Sequence, residues 1–302
     1  MNYLTKEDWT KKFIQKFIDD NSFTKQFKSM AKIHNNILYL FQKFSQNDEN
    51  ITTKEKINLI NIQQTVFTSA LIFYHRYNLK EDLLSQELSP SEQCLIYAGC
   101  IFLALKSFHL PKNINRLAKI IQPYVINEGK KLEISEIKNL IFQKEFDILL
   151  SIDFDIGIDL PYYFVYKFKK YLQTKNLTNS RIEGLIKLLL IYINDSIIFP
   201  LYLYYSPNVI VLSCILLLKE KLKIDEINID NLIQLSNYKI DMDSIRECNL
   251  LIKKIILTKD NLAKAKTASK LANQQKNVDE NKDTQSKNTI ANILSSIKTN
   301  TD

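Results

Sequence analysis

Two apolar helices of one design, starting 117 residues apart, constrain this chain more than any other feature. The first runs from Ser89-Pro90-Ser91-Glu92 to Leu105-Lys106, the second from Ser206-Pro207-Asn208-Val209 to Leu218-Lys219. Each opens with a serine as N-terminal cap and a proline at the first helical position, where the missing N–H costs nothing. In the first, Glu92 completes a capping box. Both are apolar nearly all round, as expected of helices enclosed by others. An amphipathic stretch precedes each, Ile62–Tyr77 and Arg181–Ile198. A short helix and then a longer one follow each: Asn113–Gln122 and Ile134–Ile152 after the first, Ile229–Leu235 and Ser244–Leu257 after the second. Such repetition predicts an all-α protein of two tandem helical units joined near Asp159-Leu160-Pro161. With only 4 Gly and 6 Pro, and no alternating strand pattern, nothing in the chain competes with helix.

The boundaries read from the sequence are 1–54 for N-terminal helices (Asp8–Asp19 and Phe23–Phe44) and a polar linker, 55–158 and 159–258 for the two units, and 259–302 for a basic tail. Beyond Lys259 the chain has no aromatic residue and is crowded with Lys, Asn, Gln, Thr and Ser, which predicts disorder. One short amphipathic run there, Ile290–Ile297, reads as a chance patch. Of the net charge of +8, five units sit in residues 251–302, because residues 1–250 hold 31 Lys and Arg against 28 Asp and Glu. A body so close to neutral lacks the basic stripe of a nucleic-acid binder, and no direct nucleic-acid binding is expected.

Residues 196–218 carry no charge and are long enough to span a bilayer. Pro200 and Ser206-Pro207 interrupt the stretch, so it reads as buried core, and no membrane partner is expected. The N-terminus lacks the apolar run of a secretory signal. Cys94, Cys100, Cys214 and Cys248 lie in apolar helical patterns without paired spacing, which predicts buried free thiols rather than a zinc site.

No catalytic constellation is present. His34, His75 and His109 are far apart and in no metal-ligand spacing. Phosphate-cradling and nucleophile-elbow glycine motifs are missing. Asp153 and Asp155 read as turn residues at a helix end. The expectation is a non-enzyme with neither cofactor nor metal. What remains is a pair of charges at the rim of an apolar surface: Lys106 at the end of the first central helix, and Glu145 39 residues later. A lysine can donate to backbone carbonyls of a partner and a glutamate can accept from its backbone N–H groups.

These residues resemble the cyclin family. The central helix ending Phe102-Leu103-Ala104-Leu105-Lys106 is similar to that of the cyclin box, a five-helix unit found in tandem. Phe73-Tyr74-His75-Arg76-Tyr77 resembles the family's aromatic–x–Arg–aromatic signature, and Glu145 precedes Phe154 at the family's spacing. The similarity covers roughly residues 55–258. It implies two tandem five-helix cyclin-box repeats, with extra N-terminal helices and a disordered tail. It further implies a nuclear, non-catalytic subunit that binds a cyclin-dependent kinase as a heterodimer and activates it, with a further assembly factor as a possible third member. The kinase-binding residues it implies are Lys106 and Glu145; Leu105, Phe108, Leu149 and Phe154 are the apolar neighbours expected to touch the kinase, with helix core as the alternative.

Leu160-Pro161-Tyr162-Tyr163-Phe164, Tyr192-Ile193-Asn194-Asp195-Ser196 and Tyr205-Ser206-Pro207-Asn208 resemble the second repeat of transcription-associated cyclins, the K, T and L types first and then H and C. Pro111-Lys112-Asn113-Ile114 points the same way. The substrate-docking run of cell-cycle cyclins is missing. Two features depart from the family: Ser107-Phe108-His109 stands where many cyclins carry acidic residues, and Gln122–Leu132 is a long polar insertion. A cell-cycle cyclin, a cyclin-fold scaffold that activates no kinase, and a DNA-binding general transcription factor remain as alternatives.

Overall fold

The computed structural model describes residues 20–45, 56–57, 60–81, 86–110, 113–127, 130–236, 238–265 and 267–268. The helix expected at Asp8–Asp19, most of the 46–56 connection, Pro111-Lys112 and the 290–297 run lie outside the described residues. The chain divides into two compact units that meet between Ile255 and Ile256.

The first unit is built from helices α1 (Asp20–Ser45), α2 (Ile62–Glu81), α3 (Pro90–Ser107), α4 (Ile114–Ile121), α5 (Ile134–Ser151), α6 (Tyr162–Gln173), α7 (Asn179–Ser196), α8 (Pro207–Leu222) and α9 (Ile229–Leu235). A last helix, α10, begins at residue 242 and runs to the end of the unit. Among the described residues are two antiparallel hairpins of two-residue strands, β1 (Lys56–Ile57) with β2 (Ile60–Asn61), and β3 (Ile126–Asn127) with β4 (Lys130–Lys131). The second hairpin lies in the polar insertion.

In the first repeat α3 is the hub, packed by α1, α2, α4 and α5. Its capping box forms as the sequence predicts: Ser89 Oγ accepts from the Glu92 N–H at 3.2 Å, and the Ser89 N–H donates to Glu92 Oε2 at 2.9 Å. The Ser89 N–H, and the Ser89 hydroxyl donating to the same oxygen at 2.8 Å, hold the Glu92 carboxyl below the usual carboxylate range. In the second repeat α8 takes the same place, packed by α6, α7 and α9. It is tied to α10 through Ser213 Oγ, which donates to the Ile245 carbonyl at 2.9 Å, and through Asn249 Nδ2, which donates to the Ser213 carbonyl at 2.9 Å.

Helix α1 is integral to the first repeat. Phe27, Met30, Ile33, Ile37, Leu40, Phe41 and Phe44 recur at spacings of three and four and are all buried. Because α1 packs on α2, α3 and α4, the first set reaches five helices only with α1 counted in. The sequence boundary at residue 55 leaves it outside. At the start of α1, Phe23 stacks on Phe199 of the second repeat, ring centroids 5.2 Å apart, with Lys254 Nζ 4.7 Å from its centroid.

Helix α2 differs from expectation. The stretch read as amphipathic is buried on nearly every side from Thr65 to Asn78, with Arg76 half-buried. The cause is its position: α2 packs against α1, α3, α5 and the 3-10 turn Leu201–Leu203 of the second repeat. Two polar links join it to that repeat, Thr68 Oγ1 to the Tyr162 hydroxyl at 2.8 Å and Gln64 Nε2 to Asn194 Oδ1 at 3.2 Å.

His75 of α2 is buried, and neither ring nitrogen has a hydrogen-bond partner among the described residues. Burial, reinforced by His34, pushes its pKa down to about 3. In the native protein the imidazole therefore stays neutral, whereas in the unfolded chain it takes up a proton near its ordinary value of about 6.5. Below that pH the unfolded state binds the extra proton, and stability falls by about 1.4 kcal/mol per pH unit until the native pKa is reached. His75→Leu is expected to flatten the acid limb of a denaturant-stability profile between pH 6.5 and 4 and to change it little at pH 8.

All four cysteines are buried free thiols. Burial raises Cys94 to about 11 and Cys248 to about 12, and pushes Cys100 and Cys214 up as well, so these thiols stay protonated and inert. Among the described residues no helix is long and apolar enough to cross a membrane. The uncharged stretch at 196–203 is instead buried in the first unit.

In the second unit, residues 256–265 and 267–268 are helical, and Thr267 Oγ1 donates to the Ala263 carbonyl at 3.1 Å. Helix thus occupies 259–265 and 267–268, where the tail was expected to begin; Leu262, Ala263, Lys264 and Ala265 are strong helix formers. Residues 269–302 lie outside the described residues.

Candidate partner-binding site

The two charged residues singled out in the sequence meet. Lys106 Nζ donates to Glu145 Oε2 at 2.6 Å, with the lysine side chain 36% and the glutamate side chain 6% exposed. The ammonium also lies 4.6 Å from the Phe102 ring centroid and 5.8 Å from that of Phe142, and these two rings meet edge to face at 5.6 Å. Aromatic faces and a carboxylate together hold the lysine at the C-terminal end of α3, where the helix dipole also favours a cation.

The pair depends on how closely α3 approaches α5. Gly99 makes that approach possible: a Cβ there would lie 3.0 Å from Ile148 Cδ1 and 3.4 Å from the Glu145 backbone nitrogen. On α5 the core-facing register is Ile137, Ile141, Glu145 and Ile148, so a carboxylate occupies a position that the helix otherwise gives to isoleucine. One of its oxygens is satisfied by Lys106. The other, Oε1, is buried without a hydrogen-bond partner among the described residues. A buried carboxylate oxygen without a donor is costly and is a strong acceptor for any N–H brought to it.

Beside the pair runs an apolar stripe. Phe142, Phe146 and Leu150 recur every four residues on α5, Phe154 follows in the next turn, and each is 43–55% exposed. Phe146 and Phe154 meet edge to face at 6.4 Å. Covering such side chains is worth about 1–2 kcal/mol each, at ~25 cal/mol per Å2 of apolar surface.

Phe154 is aimed by a constrained turn. Asp153 and Phe154 both have left-handed backbones, with φ of 55° and 56°. Such a pair of non-glycine residues persists only when its surroundings hold it. Arg76 of α2 does so, donating from Nη1 to the Asp155 carbonyl at 2.6 Å and from Nη2 to the Gly157 carbonyl at 2.9 Å. Lys80 adds an ion pair to Asp153 at 3.4 Å. Arg76→Ala is expected to lower stability by on the order of 1–2 kcal/mol, or ~2–8 °C in a thermal scan.

Of the six residues named from sequence, Lys106, Glu145 and Phe154 are thus at this site. Leu149 on α5 and Phe108 at the C-terminal cap of α3 are half-buried. Leu105 is not available: it is fully buried. The 100° step of an α-helix turns the neighbour of a rim lysine into the core. Phe142, Phe146 and Leu150, whose four-residue spacing was the signal, were not among the residues named from sequence; of the apolar residues of α5 only Leu149 was. Among the described residues no three His, Cys, Asp or Glu side chains gather as metal ligands.

No family profile and no curated protein matches this sequence. Solved structures do. A chain of the CAK complex from Chaetomium thermophilum bound to ATP-gamma-S superposes with a TM-score of 0.51 and 14% identity, covering 74% of this chain and 63% of that one. A chain of the yeast TFIIK (Kin28/Ccl1/Tfb3) complex gives 0.52 and 17%, covering 83% and 96%. A chain of the yeast RNA Pol II CTD kinase CTDK-1 complex gives 0.57 and 16%, covering 83% and 72%. This chain has the cyclin fold. At such identities the likeness establishes the cyclin fold and nothing finer. The Lys106–Glu145 pair and the α5 stripe therefore lie on the third and fifth helices of the first cyclin-fold repeat.

Proposed function

We propose that this chain is a cyclin: a non-catalytic subunit that binds a cyclin-dependent kinase through α3 and α5 and activates it, in the nucleus, toward RNA polymerase II or the transcription machinery. The observation that carries the reading is Glu145 Oε1, a buried acceptor with no donor among the described residues, at the edge of an exposed apolar stripe. A kinase helix laid on Phe142, Phe146, Leu150 and Phe154 would bring its first-turn N–H groups to that oxygen, and Lys106 would reach its backbone carbonyls. Unsatisfied first-turn N–H groups are what every helix start presents. Once covered, these bonds form in a water-excluded setting, where they are strong. Activation follows by population shift: the bound surface stabilises the kinase conformation in which the regulatory helix is swung inward and its glutamate pairs with the phosphate-orienting lysine.

The transcription assignment is in keeping with the source of two of the similar folds, the TFIIK and Pol II CTD kinase complexes, and the K, T or L type rests on the resemblance of the second-repeat segments around Leu160, Tyr192 and Tyr205 alone. The test is the rate of phosphate transfer to a polymerase-tail peptide by a purified cyclin-dependent kinase, alone and with this chain. A large gain supports the reading. Binding without any gain selects the scaffold alternative.

A further inference from the structure

A face of α6 in the second repeat plays no part in the site above. Tyr163, Tyr166, Lys167 and Lys170 are spaced at i, i+3, i+4 and i+7, which puts them on one side of the helix. Lys167 Nζ lies 5.1 Å from the Tyr163 ring centroid, and Lys170 Nζ lies 4.6 Å from that of Tyr166. Lys167 also donates to the Leu235 carbonyl at 3.0 Å, which places the end of α9 beside this stripe. Tyr163 is 62% exposed, and Tyr238, three residues after Leu235, is 66% exposed. Lys239 is exposed as well.

Helix α6 contains no acidic residue. Among the described residues neither Lys167 nor Lys170 pairs with a carboxylate. Lys169, on another side of the helix, does, binding Glu183 at 2.6 Å. An exposed helical lysine ordinarily sweeps through solvent. Here rings and a carbonyl hold two ammonium groups in place without neutralising them, which lowers the ordering cost of meeting an anion.

We propose that this face docks an acidic, Asp- and Glu-rich segment of a partner protein. Its carboxylates meet Lys167 and Lys170, and its apolar side chains lie against Tyr163 and Tyr238. The arrangement favours dispersed carboxylates over one phosphate group: the cations are point-charge lysines along a helix, and no arginine offers the planar fork that grips a phosphate. It also disfavours single-stranded nucleic acid, because Lys167 and Lys170 lie against the rings on which bases would stack, and the body carries little excess positive charge.

The test uses the full chain and a short fluorescein-labelled peptide of Asp and Glu with interspersed Leu, read by fluorescence anisotropy at low and high salt. Saturable binding is expected. It should weaken with salt and weaken roughly tenfold in Lys167→Glu/Lys170→Glu. Lys119→Glu on α4 should not change it, and both variants should melt with the wild type. Equal binding by the double variant, equal binding of the Asn/Gln version of the peptide, or no saturable binding would overturn the proposal. So would a labelled oligothymidylate that binds more tightly than the peptide and is lost in the same variant. Capture of a kinase through α3 and α5 is measured separately and is unaffected by either result.

Discussion

Glu145→Ala is expected to weaken kinase binding by about 2–4 kcal/mol, roughly 30- to 1,000-fold in Kd. The loss exceeds that of one ordinary hydrogen bond because the change acts twice. It removes the acceptor for the partner's N–H groups, which stay buried and unpaired, and it frees Lys106 from the 2.6 Å bond that aims it. Lys106 is partly exposed and regains solvent, so the free protein should lose far less stability than the complex loses affinity. Glu145→Gln keeps an acceptor in place without the charge and should fall between the two. Calorimetric titration with the purified kinase, beside thermal melts of the free variants, separates these effects.

Gly99→Val is expected to be the most damaging single change to the first repeat, costing on the order of 2–3 kcal/mol or ~4–12 °C in melting temperature. A Cβ at that position already meets Ile148 at 3.0 Å, and the added methyl groups of valine must push against α5. Close-packed helices answer such a clash by moving apart. That would lengthen the contact between Lys106 and Glu145, so Gly99→Val should weaken kinase binding even below its melting temperature. Gly99→Ala is the control: better helix propensity, worth up to ~1 kcal/mol, offsets its tight contact, and it should be nearly neutral.

The hub helices were legible because their signals are local. Ser89, Pro90 and Glu92 define a helix start within four residues, and the structure forms the box they imply. Ser206-Pro207 does the same for α8, although there Ser206 Oγ accepts from the Val209 N–H without a reciprocal glutamate. The membership of α1 was not legible. Its apolar spacing shows that it packs, but not on which helices, and adjacency in space is set by tertiary contacts of long sequence separation. The same limit hid the burial of α2 between the two repeats.

At the site, Lys106 and Glu145 stood out as charges in apolar helices, and the geometry brings them together. Leu105 was read from its place in the chain, and helical rotation put it in the core. The stripe of Phe142, Phe146 and Leu150 was visible in the spacing. It was not separable from core by hydrophobicity alone, because α5 is apolar both on its buried face (Ile137, Ile141, Ile148) and on its exposed one.

The measurement that tests this account most directly is affinity capture with the wild-type chain beside Lys106→Glu/Glu145→Lys, with the bound kinases identified and assayed on a polymerase-tail peptide. The exchange retains an ion pair within the protein and reverses the polarity shown to a partner helix. The account predicts that the wild type brings down a cyclin-dependent kinase active on the peptide, and that the exchanged variant, folded by its melting curve, does not. Recovery of the same partners by both proteins, with kinase activity from neither, would contradict it.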